Sequence, residues 1–164
     1  MPVAVLADRS ALMRAAADKV VALAAEAIGA HGRFDWALSG GRTPEQLYAL
    51  LASAEYAPRI DWQRVHCFFG DERCVPPDHA DSNYRMARAS LLDKVALPAS
   101  NVHRMLAELE PRVAAERYEA ELRRELARPA GELFGRFDLI LLGMGNDGHT
   151  ASLFPNSPAL AEAV

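Results

Sequence analysis

The chain has 164 residues, 51% of them apolar and 24% charged, with a formal net charge of −4. That length fits one domain with a buried core, and the mixed, mildly acidic charge excludes a nucleic-acid binder or a polybasic membrane-surface protein. No apolar run approaches membrane-spanning length, and the opening Met1-Pro2-Val3-Ala4-Val5-Leu6-Ala7-Asp8 lacks the basic region of a signal peptide, so a cytoplasmic protein is expected.

Leu12, Ala16, Val20, Leu23 and Ala27 form one apolar stripe and predict a helix over residues 10–30, ended by Gly29 and Gly32. Residues 34–38 fit a buried strand, and Ser39-Gly40-Gly41-Arg42 a turn. A second helix is predicted to open at Thr43-Pro44-Glu45-Gln46, with Thr43 as N-cap, Pro44 in the first turn and Gln46 completing a capping box. Residues 65–69 read as the next strand. A long polar loop follows over 70–82, a length that marks functional loops in compact domains. A helix is predicted over 83–95, a short extended piece over 102–105, and a strong helix over 111–128 carrying Ala115, Tyr118, Leu122 and Leu126. Residues 137–142, apolar apart from Asp138, fit a central parallel strand followed by a loop over 143–150. The alternation of helix and strand predicts an α/β fold with a mainly parallel sheet. In such sheets ligands sit at the carboxyl ends of strands, where the loops after Leu38, Phe69 and Leu142 gather most of the Gly, Asp, Arg and His able to do chemistry.

The first loop, Ser39-Gly40-Gly41-Arg42-Thr43-Pro44, enters a helix N-terminus and exposes backbone N–H groups at the positive end of the helix dipole. A phosphate fits this chemistry, and so does a plain strand–helix turn; the loop lacks the Lys-Ser/Thr pair of a nucleotide-triphosphate P-loop. In the second, Gly70-Asp71-Glu72-Arg73, Arg73 suits bidentate phosphate binding. Asp71 and Glu72 are candidate acid–base groups or members of a solvated, salt-bridged loop. Being adjacent, they point apart on an extended chain, and Asp81-Ser82-Asn83 suits a helix cap. The third, Gly143-Met144-Gly145-Asn146-Asp147-Gly148-His149-Thr150, is a literal GxGxxG. A dinucleotide site needs a helix here, however, and Pro155 and Pro158 interrupt the following segment. His149 is the better lead, because an imidazole titrates near neutrality and accepts a proton from water; Asp147 stands two residues away to orient it. A buried histidine satisfied by carbonyls is the alternative reading. His31, His66, His79 and His103 read as structural or surface residues. No His, Cys or acidic cluster has metal-ligand spacing, so no metal site and no cofactor are expected. Cys67 and Cys74 match neither a CxxC pair nor a zinc knuckle, and no disulfide is expected. The absence of a GxSxG elbow argues against a serine nucleophile.

Together Ser-Gly-Gly-Arg-Thr-Pro, Phe-Phe-Gly-Asp-Glu-Arg with the later Asp-Ser-Asn, and Leu-Gly-Met-Gly-Asn-Asp-Gly-His-Thr-Ala-Ser-Leu-Phe-Pro resemble the signature segments of the 6-phosphogluconolactonase family, in order and spacing. The resemblance implies a Rossmann-like three-layer α/β sandwich with a mainly parallel sheet, shared with the glucosamine-6-phosphate deaminases. It implies hydrolysis of 6-phosphoglucono-δ-lactone to 6-phosphogluconate in the pentose phosphate pathway, with His149 as base beside Asp147. Ser39, Gly40, Gly41, Arg42, Thr43, Asp71 and Arg73 would bind the phosphosugar. A small-molecule phosphosugar lactone is thus the expected partner, with no nucleic acid, no membrane and a monomeric state. The family's chains continue with further strands and helices, so residues 1–164 are expected to be a single domain lacking its C-terminal part, with an apolar sheet edge exposed. The rival within the superfamily, the deaminase, has Asp-Glu-Tyr where this chain has Asp71-Glu72-Arg73, and an acid where alignment on Pro155 puts Phe154. A non-catalytic phosphosugar-binding module is the third reading.

Overall fold

The computed structural model describes residues 3–126 and 135–162. Helix α1 runs Arg9–His31, capped by the Asp8 carboxylate on the Ala11 amide and closed by Gly32 at φ 88°, a left-handed position that suits glycine. Strand β1 (Phe34–Leu38) is buried along its whole length. Helix α2 (Arg42–Leu51) leads through two short 3₁₀ turns to β2 (Val65–Phe69). Helix α3 (Asn83–Ala87) continues as one π turn over Arg88–Leu92. Helix α4 (Pro111–Glu125) precedes β3 (Leu139–Ile140). The sheet order is β2–β1–β3, all parallel, with Phe34 opposite Val65 and Trp36 opposite Leu139. The α/β reading with a parallel sheet therefore holds.

Side chains alternate across the strands and divide the interior in two. Phe34, Trp36 and Leu38 of β1 and Val65, Cys67 and Phe69 of β2 face the main core with Val20, Ala24, Tyr48, Leu51 and Leu91. Each large apolar side chain fully buried this way contributes about 1.5–3 kcal/mol. Asp35 and Phe68 belong to the opposite face. There α4 brings Ala114 and Tyr118, and Phe68 stacks on the His103 ring at 4.3 Å and meets Phe137 edge-on at 5.3 Å. Both cysteines are free, Cys67 buried and Cys74 exposed. No helix among the described residues is long and apolar enough to cross a membrane.

Four local expectations need correction. The buried stripe of α1 is Met13, Ala17, Val20, Ala24 and Ala27, while Leu12 is 45% exposed; alanines outline two overlapping stripes, and the one that carries Met13 faces the core. Helix α2 opens at Arg42 on a Gly41 cap with no side-chain bond, so Thr43 lies inside the helix and is not its cap. The helix predicted over 83–95 gives way to the π turn, where the Ser90 hydroxyl donates to the Met86 carbonyl four residues back and competes with the α-helical ladder. The last strand is short and has one neighbour among the described residues, so β1, not β3, is central; Ile140 and Leu142 are half exposed or more. The predicted end of the fourth helix at Arg128 lies outside the described residues, and the helix closes at Glu125. The piece predicted over 102–105 is extended at its start: Val102 bridges Cys67 in parallel, and the His103 amide donates to the Cys67 carbonyl at 2.8 Å.

Candidate active site

At the carboxyl end of β1, Tyr48 of α2 fixes where the first loop begins. Its hydroxyl accepts from the Ser39 amide and donates to the Ser39 carbonyl, both at 2.9 Å. Burial pushes this phenol's pKa far up, so it stays neutral and can play both parts. The chain then turns through Gly41 at φ 100° into α2. The amides of Gly40, Gly41, Arg42 and Thr43 make no backbone hydrogen bond among the described residues, so they and the helix dipole offer an anion site. Gly40 also allows close contact: a Cβ there would lie 2.0 Å from the Asn83 Oδ1 atom.

Tyr118 of α4 repeats the device at the end of β2. Its hydroxyl accepts from the Phe69 amide at 2.8 Å and donates to the Phe69 carbonyl at 3.0 Å, and burial again raises its pKa strongly. In the loop that follows, the adjacent acids divide. Glu72 accepts from the amides of Arg73, Asn83 and Tyr84 (2.7, 2.7 and 2.8 Å) and from the Ser82 hydroxyl. Ser82 in turn caps α3 at the Arg85 amide, so Glu72 is committed to anchoring a helix start and leaves no acid–base role. Asp71 is less committed: Oδ2 accepts from the Ser152 hydroxyl at 2.7 Å, and Asn83 Nδ2 donates to the Asp71 carbonyl at 3.1 Å and, at 3.4 Å, to Oδ1.

The third loop folds upon itself. The Gly145 amide donates to the His149 carbonyl at 2.8 Å, the Gly148 amide to the Gly145 carbonyl at 3.0 Å, and the Thr150 hydroxyl to the Gly143 carbonyl at 2.9 Å. Asp147 Oδ1 sits 2.5 Å from His149 Nδ1 and also accepts the His149 amide at 3.2 Å. The hydrogen bond from the His149 ring, then that from its amide, holds the Asp147 carboxyl below the usual carboxylate range. With Nδ1 engaged, Nε2 is left to accept a proton. Phe154 lies against the imidazole at 4.5 Å between centroids. Gly145 makes room for the pair, since a Cβ there would fall 2.2 Å from His149 Cε1. The His149 side chain is 32% exposed, so it is neither sealed in the core nor free in solvent.

Of the residues singled out in the sequence, Ser39, Gly40, Gly41, Arg42, Thr43, Asp71, Arg73 and His149 line one cleft of about 520 Å³, and Asp147 reaches it through His149. Arg42 and Arg73 are exposed and make no ion pair among the described residues. Sequence reasoning missed Tyr48, Tyr118, Asn83 and Ser152; only the short-range signal of Ser82-Asn83 pointed to any of them. It missed a second grouping too. His66, His103 and Glu125, which no ligand spacing in the sequence joins, converge from separate segments. Burial, then Arg33 and His103, push the His66 imidazole down to about 4.

A family model described as glucosamine-6-phosphate isomerases/6-phosphogluconolactonase matches residues 7–164. The chain is 45% identical over 159 residues to a 6-phosphogluconolactonase of Nostoc sp., covering 96% of this chain. It is similar to a crystal structure of devB protein, with a TM-score of 0.85 and 42% identity over 97% of the chain. It is also similar to the 6-phosphogluconolactonase structure from Trypanosoma brucei, with a TM-score of 0.83 and 34% identity over 95%. The chain spans 64% of the length of each of these three proteins.

Proposed function

The chain belongs to the family of glucosamine-6-phosphate isomerases and 6-phosphogluconolactonases, and from that membership we propose that it hydrolyses 6-phosphoglucono-δ-lactone to 6-phosphogluconate, as a cytoplasmic monomer of the pentose phosphate pathway. The observation that carries the reading is the convergence of the glycine-rich helix start, Arg73 and His149 on one cleft. The phosphate docks on the free amides of Gly40, Gly41, Arg42 and Thr43 with the Arg42 and Arg73 side chains, and Asp71 receives a sugar hydroxyl. Asp147 holds Nδ1 of His149, so Nε2 takes a proton from water as the water oxygen bonds to the lactone carbonyl carbon. The tetrahedral intermediate collapses with cleavage of the bond to the ring oxygen, which receives the proton from Nε2. The products are the carboxylic acid and the freed hydroxyl. Of the loop glycines and Met144 that line the cleft, the Gly145 amide is already engaged within the loop, which leaves Gly143 and Met144 as candidate oxyanion donors.

Phe154 favours hydrolysis over deamination. An isomerising deaminase moves protons between sugar carbons and needs a further acid, whereas here an apolar ring lies against the imidazole. A pH-stat assay on fresh lactone, corrected for spontaneous opening, tests the proposal: enzyme-dependent acid release is expected, with no ammonia from glucosamine 6-phosphate. Ammonia release would favour the deaminase, and thermal stabilisation by 6-phosphogluconate without turnover would favour a binding module. Light scattering tests the monomeric state.

A further inference from the structure

A second polar cluster lies away from the cleft, on the α4 face of the sheet. His66 comes from β2, His103 from the segment bridged to Cys67, and Glu125 from the last turn of α4. One ligand-type atom from each lies within 4.8 Å of the others. We propose that His66 Nδ1, His103 Nε2 and the Glu125 carboxylate form a binding site for a divalent transition metal, zinc above all, with Glu121 orienting His103.

Three features of the geometry carry this. The two ring nitrogens are 3.2 Å apart; tetrahedral zinc with bonds of 2.0–2.1 Å spaces its nitrogen ligands by about 3.3 Å. With His103 Nε2 accepting, His66 Nδ1 carries the shared proton; moving that proton to His66 Nε2 and turning the ring leaves both lone pairs free for one ion. The opposite nitrogen of His103, Nδ1, is 2.8 Å from Glu121 Oε1. A carboxylate behind an imidazole in this way fixes the tautomer that leaves Nε2 as a donor to metal, the usual outer partner of a metal-bound histidine. Finally, the cluster grades from core to solvent. The His103 ring is packed on Phe68 and is 4% exposed, so its position is set by the core, whereas His66 and Glu125 are half-buried, the side from which solvent would supply a fourth ligand. Two imidazoles with one carboxylate select zinc-like ions over magnesium or calcium, which take oxygen ligands.

Two cations oppose the ion. Arg33 is engaged with Asp35, whose Oδ1 accepts its Nε at 2.8 Å. Arg124 Nε contacts Glu125 Oε1 at 2.9 Å in a pair exposed on the arginine side, which must loosen for Glu125 to ligate. Such surface pairs are worth little, and Glu121 balances part of their charge. An ion bound here ties the end of α4 to β2, so it stabilises the fold and takes no part in the hydrolysis.

Competition with a chromophoric chelator tests the site on the whole chain. One equivalent of Zn²⁺ is expected to bind and to raise the thermal midpoint with rising zinc concentration. Co²⁺ in its place is expected to give the visible bands of a tetrahedral site. Glu121→Gln should weaken zinc binding about 10–100-fold; His66→Ala and Glu125→Gln should weaken it at least as much, and His149→Ala should leave it unchanged. Glu125→Gln, at the helix surface, tests the ligand set without disturbing the packing on Phe68. Absence of binding would reduce the cluster to a hydrogen-bonded relay only and overturn the proposal. So would zinc affinity that survives both His66→Ala and Glu125→Gln, or that disappears with His149→Ala.

Discussion

The loops after β1 and β2 begin at backbone groups gripped by buried tyrosines, Ser39 by Tyr48 and Phe69 by Tyr118. Among the described residues the loop after β3 has no such grip. It is closed by bonds among its own residues from Gly143 to Thr150, and just beyond it Ser152 ties to Asp71 across the cleft. The proposed anion-holding half of the cleft therefore rests on the core, and the proposed proton-transferring half on a short self-bonded turn. Damage to the first half will show as lost stability together with lost binding. Damage to the second will show as lost turnover in a protein that still folds and binds.

The largest expected effect is Gly145→Ala. The new methyl meets His149 and Asp147 at less than 3 Å, so the imidazole must move. Turnover should fall towards that of a protein without its base, about 10²–10⁴-fold, while calorimetric affinity for 6-phosphogluconate and the urea midpoint stay near wild type. Next in size are Tyr118→Phe, which strips a buried amide and carbonyl of their partner, and Tyr48→Phe, which does the same to a part-buried pair. Unsatisfied buried groups cost about 1–3 kcal/mol each, so urea unfolding should show both variants destabilised, with weaker ligand binding. Gly40→Ala should cost about 1–3 kcal/mol by overpacking against the buried Asn83. If Gly145→Ala destabilised as much as Tyr118→Phe, the division between the halves would be wrong.

Ser152→Ala should act less. It removes an exposed bond between the halves, and the expected loss of stability is below about 1 kcal/mol; a larger fall in turnover would show that the tie positions the third loop. The smallest effect concerns pH. The folded-state Asp147 carboxyl titrates below its unfolded value, so its contact with His149 contributes fully above the usual carboxylate range and is lost as pH falls through the depressed value. Hydrogen exchange at the His149 amide, corrected for intrinsic rate, should accelerate over that window, and Asp147→Asn should abolish the dependence.

The parts of this arrangement that are local in sequence were readable before any coordinates. Strand spans 34–38 and 65–69 follow from apolar runs with clear ends, and the three glycine-bearing loops follow from their place after strands. Ser82 was legible as a cap because its partner is three residues on. What was not legible depends on distance in space. Tyr48 and Tyr118 look like ordinary apolar-face residues in their helices, and nothing in the chain says that their hydroxyls reach a strand end. His66, His103 and Glu125 are too scattered for any ligand-spacing rule. Thr43 failed as a cap because a glycine with φ 100° lets the helix begin two residues earlier than side-chain preference suggests. Met13 and Leu12 compete for the core in a helix whose many alanines pack on either side.

The central claim, that His149 is the proton acceptor of a phosphosugar cleft assembled from three strand ends, is tested most directly by steady-state hydrolysis of the lactone with His149→Ala. A fall in kcat of about 10²–10⁴-fold with little change in KM is predicted. Unchanged kcat, or a loss confined to KM, would contradict it.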